Sequence, residues 1–292
     1  MRLPDMTSLP KNRFLRGGYL MLRRYLNHNV AIQSAALAFY LLFTIFPLLI
    51  FLNALLGLMH LDFIQILENS AQVFPKRAVE FAKAYLNYVG KKPSMQLMLF
   101  GLFFSIYFPM RATNTLMRAA RTAYHLGPPR AAARHILKTL LYTLLLIVSL
   151  AAMLTLLTVG NLTLDYGVAH LNLSVKAAEW WSRLRFPLVM LLMYFALYVL
   201  YAMAQDTRQP QKNLFPGAAV SLQCWILVSL LYSIYIEKFA AYSVLYGSIG
   251  TVIALLVWLY LTGTVLILGA ELNGTLISLR KDSKNVPPQP PV

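Results

Sequence analysis

Between Tyr246 and Asn273 the chain reads YGSIGTVIALLVWLYLTGTVLILGAELN, and Glu271 is the one charged residue in it. About 20 consecutive apolar residues are enough to cross a bilayer as a helix. The run therefore predicts a transmembrane helix, and with it an all-α integral membrane protein. A carboxylate inside such a run is costly and ordinarily faces protein or a water-filled cavity. Glu271 is the leading candidate for a functional residue.

The rest of the chain has the same character. Apolar residues make up 59% of the 292 and charged residues 12%, about half the share found in soluble domains. Mean hydropathy is +0.60. Six spans are predicted, at about 31–59, 95–117, 137–160, 185–204, 214–236 and 246–278. Pro47 in the first and Pro109 in the second each remove a backbone donor and predict helix kinks. Pro187, beside the start of the fourth, suits a helix's first turn. The apolar stretch from Ala31 is far longer than a signal-peptide core of about 7–15 residues, so it predicts an uncleaved first span.

Three segments lie outside the 31–278 membrane domain or interrupt it. Residues 1–30 are basic, and NRFLRGGYLMLRRYL (12–26) predicts an amphipathic helix with Arg13, Arg16, Arg23 and Arg24 largely off its apolar face. Such a helix either lies on an anionic leaflet or packs on the protein's own surface. Residues 62–93 predict two more short amphipathic interfacial helices, broken at Pro75. Residues 279–292 end in NVPPQPPV and predict a disordered Pro-rich tail.

A net charge of +16 would suggest a nucleic-acid partner in a soluble protein. Here the charges sort by side. The termini and the connections on their side carry roughly two Lys or Arg for each one opposite, which predicts that both termini are cytoplasmic. An even number of spans demands the same. The basic balance is accounted for without nucleic acid. Membrane lipids are the expected partners, with anionic lipid at the basic cytoplasmic face; a homo-oligomer is compatible with the sequence.

Three stretches resemble the YihY/BrkB family of bacterial inner-membrane proteins: AALAFYLLFTIFPLL (35–49), NLFPGAAVSLQCW (213–225) and the 246–273 run with its YGS-G, W-Y step and terminal GAELN. The resemblance covers roughly residues 20–278. It implies a six-span helical protein of the bacterial cytoplasmic membrane. Members have carried labels including ribonuclease BN, virulence factor and transporter, and the resemblance brings no catalytic residues to this chain.

Catalytic chemistry finds little footing. Metal-dependent RNA cleavage needs clustered His and carboxylate ligands. The five histidines, His28, His60, His125, His135 and His170, form no ligand motif and fall on both sides of the predicted membrane. Phosphate-loop, nucleophile-elbow and dinucleotide motifs are missing from the sequence. Cys224 is the sole cysteine, so no intrachain disulfide can form. No catalytic residue, metal site or cofactor is predicted, and an enzyme is the least favoured class.

The remaining candidates are polar or small residues inside spans. Gln33 and Asn53 belong to the first, Arg111 and Asn114 to the second, and Glu271 and Asn273 to the sixth. Interrupted helices near Pro47 and Pro109 expose backbone groups that can line a substrate site. Gly247, Gly250 and Gly274 predict close helix packing. Glu271 has two readings. It is a structural carboxylate, paired with a basic residue such as Arg111 or capping a helix end, or it is a proton or cation relay. The function expected first is a secondary transporter or lipid-handling permease of unknown substrate. A non-transporting scaffold or regulator is the alternative.

Overall fold

The computed structural model describes residues 13–58, 80, 83–84, 95–127, 129, 131–170, 175–205, 214–238 and 243–284. Seven helices account for nearly all of them: α1 (Arg13–Asn27), α2 (Val30–Leu58), α3 (Met95–Ala123), α4 (Ala132–His170), α5 (Val175–Ala204), α6 (Phe215–Lys238) and α7 (Ser243–Lys284). Six of these, all but α1, contain a stretch long and apolar enough to cross a membrane. Each overlaps one predicted span, and no strand occurs among the described residues.

The helices overrun the predicted ends where charge had marked a boundary. α3 continues to Ala123 and carries Arg118 and Arg121 on helix rather than loop. α5 begins at Val175, so Pro187 lies inside it and not in its first turn. Proline is tolerated there because one lost backbone bond leaves the rest of the ladder intact. α7 runs past 278 to Lys284. Nearly all of 62–93, the whole of 285–292 and residues 1–12 lie outside the described residues.

α7 is the hub. It packs along α2 and α6, and also touches α3 and α1, while α2 packs on α3 and α4 on α5. Lipid offers no hydrophobic driving force between helices, so close van der Waals contact has to hold them together. Small residues supply it. A Cβ on Gly101 of α3 would stand 2.7 Å from the Phe51 nitrogen and 2.9 Å from the Pro47 carbonyl oxygen of α2. The core at one end of the bundle is correspondingly rich in alanine, with Ala112, Ala119, Ala120, Ala123, Ala218 and Ala270 packed around Met117, Leu200, Tyr201 and Ile267. Outward faces carry exposed Leu, Ile and Phe, as lipid contact requires.

Two tight corners frame that end. Asn29 (φ 53°) joins α1 to α2, and His125 (φ 56°) closes α3. At the second, Leu126 N–H reaches the Arg121 carbonyl (3.0 Å) and His125 N–H the Thr122 carbonyl (3.0 Å). This is the paired-bond ending in which the residue past the helix turns left-handed, a position usually given to glycine. Histidine there costs about 1–2 kcal/mol of local strain. Its side chain explains the choice.

Candidate functional site

Arg24, in the last turn of α1, and His28, just past the helix end with its N–H on the Arg24 carbonyl (2.9 Å), lie one helical turn apart, hence on one face. α7 presents Glu271, Gly274 and Ser278 at spacings of three and four, again one face. The two faces meet. Glu271 is fully buried, and its Oε1 lies 2.5 Å from His28 Nδ1 while Oε2 lies 3.4 Å from Arg24 Nη1. The histidine contact is the tighter one, with Nδ1–H donating to the carboxylate.

Arg24, 8% exposed, spreads its guanidinium over the end of α3, the corner that follows it and α7. Nη1 donates to the Ala123 carbonyl (3.0 Å), and Nη2 donates to Ser278 Oγ (2.8 Å) and the Gly274 carbonyl (3.4 Å). Ala123 closes α3, so its carbonyl belongs to the negative end of that helix, where a cation is favoured. Nη2 also meets His125 Nε2 at 2.9 Å. A guanidinium only donates, so that nitrogen carries a lone pair and the His125 ring proton sits on Nδ1. The strained corner thus aims an acceptor at Arg24. Gly274 is essential to the approach, because a methyl group there would strike the Ala123 carbonyl and Arg24.

A second polar group lies two residues along α7 from Glu271, on another side of the helix. Asn273, fully buried, takes Gly217 N–H on Oδ1 (2.8 Å) and donates from Nδ2 to the Leu214 carbonyl (3.1 Å) and towards Tyr124 Oη (3.5 Å). It therefore does for α6, from another helix, what a capping side chain ordinarily does within one. Burial pushes the Tyr124 phenol well above its usual range, opposed by the Asn273 bond, so the hydroxyl stays neutral. Beyond it, Gly217 and Gly269 sit in direct backbone contact, and Tyr201 bonds the Leu266 carbonyl (2.6 Å) and Ser221 (3.0 Å).

Of the residues singled out in the sequence, Glu271, Asn273 and Gly274 come together here. Gln33 joins at the edge, donating from Nε2 to the His28 carbonyl at 2.6 Å. Arg111 does not pair with Glu271. It is exposed, stacked 5.5 Å above the Tyr40 ring with Nη2 3.3 Å from that hydroxyl. Asn114 instead links α3 to α4 through His135 Nε2 (2.8 Å). Asn53 is half-buried farther along α2, Pro47 and Pro109 lie inside α2 and α3, and Gly250 is half-buried on α7. Gly247 is helical, and its surroundings lie outside the described residues. The partners the sequence reading missed are Arg24, His28, His125 and Ser278. The spacing of Arg24 and His28 was the available signal; nothing local announces that α1 docks on α7.

Among the described residues, no group of three or more His, Cys, Asp and Glu is disposed to hold a metal. His28 and His125 do approach, with ring centroids 6.3 Å apart. Arg24 nevertheless bonds both Glu271 and His125, and a bound cation would face that guanidinium.

A family model described as "Virulence factor BrkB" matches residues 21–291. A Bacillus subtilis (strain 168) protein described as "ribonuclease-like protein YfkH" is 32% identical over 263 residues, 88% of this chain and 94% of that protein. A UPF0761 membrane protein of Pseudoalteromonas translucida (strain TAC 125) is 36% identical over 78 residues, 27% of this chain and 26% of its own. The UPF0761 membrane protein YihY of Salmonella newport (strain SL254) is 32% identical over 94 residues, 32% of either chain. No solved structure matches.

Proposed function

Because the chain belongs to the BrkB virulence-factor family of membrane proteins, we propose that it is a secondary transporter or lipid-handling permease of the bacterial inner membrane, with both termini cytoplasmic. The observation that carries this reading is the Glu271–His28–Arg24 cluster. A carboxylate with no solvent exposure, bonded to an imidazole and a guanidinium at the edge of a membrane bundle, is the kind of group that marks ion and proton pathways. A proton can reside on Glu271 or His28, and the charge balance against Arg24 changes with it. Arg24 of α1 is held to α7 at Glu271, Gly274 and Ser278, and on this reading the coupling proton acts at that contact. Asn273 and Gln33 hold the neighbouring backbone, and Pro47 and Pro109 give α2 and α3 points at which to bend.

The test is a proteoliposome assay with an internal pH dye, challenged with fractionated cell metabolites and with labelled lipids. Wild-type protein is expected to move protons or lipid with one fraction, and Glu271→Gln, compared at equal folded amount, to lose that movement. A Glu271→Gln protein that carries the same flux as wild type overturns the reading, as does wild-type protein that moves nothing.

The second reading, a non-transporting scaffold, is favoured by the way Arg24 joins the ends of α1, α3 and α7. It predicts that Glu271→Gln loses stability and nothing else. The word ribonuclease in a relative's name belongs to that relative, and the Arg24-filled cluster gives no support for carrying it over.

A further inference from the structure

We propose that the corner where α3 meets α4 binds the anionic headgroup of a phospholipid from the protein's own bilayer. The site is separate from the Glu271 cluster and does not depend on the transport reading.

Between Glu80 and Asp165 the sequence contains no acid at all. Within that stretch His135 of α4 bonds Asn114 of α3 across the two helices, and the cations Arg118, one turn on from Asn114, Lys138, about one turn on from His135, and Arg134, next to His135 in sequence, flank that bond. A fourth cation, Arg121, lies in the last turn of α3. Arg121 is committed elsewhere, donating to the carbonyls of Ala204 (3.2 Å) and Gly127 (2.7 Å). Arg118 and Arg134 are exposed and Lys138 is half-buried. Among the described residues, no side-chain hydrogen bond or ion pair engages any of these three. Like charges held together without a carboxylate raise the local potential and concentrate anions.

Depth and neighbours name the anion. Arg118 lies in the closing turns of α3, and Arg134 and Lys138 lie in the opening turns of α4. Each is at an end of a membrane-spanning stretch, the level of lipid headgroups. From Arg134 an exposed apolar stripe runs down α4 through Leu137, Leu141, Leu144 and Val148, residues that fall on one helical face. A ligand matched to both parts has an anionic end and a long apolar body. Basic pockets of this kind at helix ends take acidic lipid headgroups. Free phosphate or RNA would engage the cations and leave the stripe uncovered.

The experiment is native mass spectrometry of the full chain released from detergent. The probes are phosphatidylglycerol and phosphatidylcholine with matched acyl chains. Wild-type protein is expected to retain the acidic lipid about tenfold better, since each basic group near a membrane surface contributes measurably to such binding. Arg118→Gln, Arg134→Gln and Lys138→Gln, each at an exposed or half-exposed position, are expected to erode that ratio stepwise, and the triple variant to bring it near one. Arg183→Gln, towards the opposite end of α5, is expected to leave it unchanged. Millimolar inorganic phosphate is expected not to displace the lipid. Equal retention of both lipids by wild type overturns the proposal. So does an unchanged ratio in all three single variants, whether or not the triple variant folds. Displacement by phosphate, or capture of an RNA oligonucleotide through the same three residues, also overturns it.

Discussion

Glu271 and Arg24 bury opposite charges in one contact, and removing either takes away the other's opposite charge, leaving Glu271 with His28 and Arg24 with carbonyl, hydroxyl and imidazole acceptors. Breaking a buried pair in this way typically costs about 3–5 kcal/mol. Glu271→Gln and Arg24→Met are each expected to lower the midpoint of thermal unfolding in detergent. The double variant is expected to fall less than the two single losses added, because neither charge is then stranded. Additive losses would mean that the 3.4 Å contact carries no coupling. Arg24→Lys is expected to behave like a loss, since one ammonium cannot reach Ala123, Ser278 and Glu271 at once. The same cluster bears on nuclease chemistry. Purified protein supplied with divalent metal is expected to leave RNA intact, and metal-dependent cleavage abolished by His28→Ala would refute that. Glu271 was legible as a costly charge in an apolar run. Its partners were not, because Arg24 sits on α1, in a segment whose charged face reads as solvated until α7 is placed against it.

The contact between α6 and α7 rests on the absence of side chains. At Gly217 a methyl group would strike the Gly269 carbonyl and the Asn273 amide, so Gly217→Ala is expected to push α6 outward and to destabilise by about 1–3 kcal/mol, as overpacking does. Asn273→Ala is expected to cost about 1 kcal/mol for the lost cap, and more where the Gly217 N–H that it served stays buried without an acceptor. Gly18→Ala is the control. It lies on α1 with nothing within 4 Å of its missing Cβ, and alanine there is expected to stabilise by about 0.5–1 kcal/mol. Thermal unfolding of the three variants side by side checks the order, and Gly217→Ala at or above wild type would contradict the packing. The six spans could be read from hydropathy because a bilayer imposes a length. The packing glycines were read only in part. Gly274 stood out beside Glu271, whereas Gly101, Gly217 and Gly269 matter through the helix opposite them, which no single segment discloses.

For the whole molecule, the expected orientation puts Gly127, at the end of α3, on the cytoplasmic side and Arg183, early in α5, towards the outside. In a Cys224→Ser background, a cysteine at 183 is expected to react with an impermeant thiol reagent in intact spheroplasts and one at 127 only after lysis. The reverse pattern would invert the topology. The charge sorting on which this rests was legible at once, since it is a property of connections and not of packing. The docking of α1 carries a consequence for biogenesis. Arg24 emerges early from the ribosome, yet Glu271 lies 247 residues later, after every other span has been made. At ordinary synthesis rates of about 5–20 residues per second, the first helix waits many seconds for its seat. Until then its arginine must remain at the water-facing edge of the membrane. Seating α1 is therefore among the last events of assembly, and a nascent chain stalled before α7 should expose its N-terminal helix to protease that the finished protein resists.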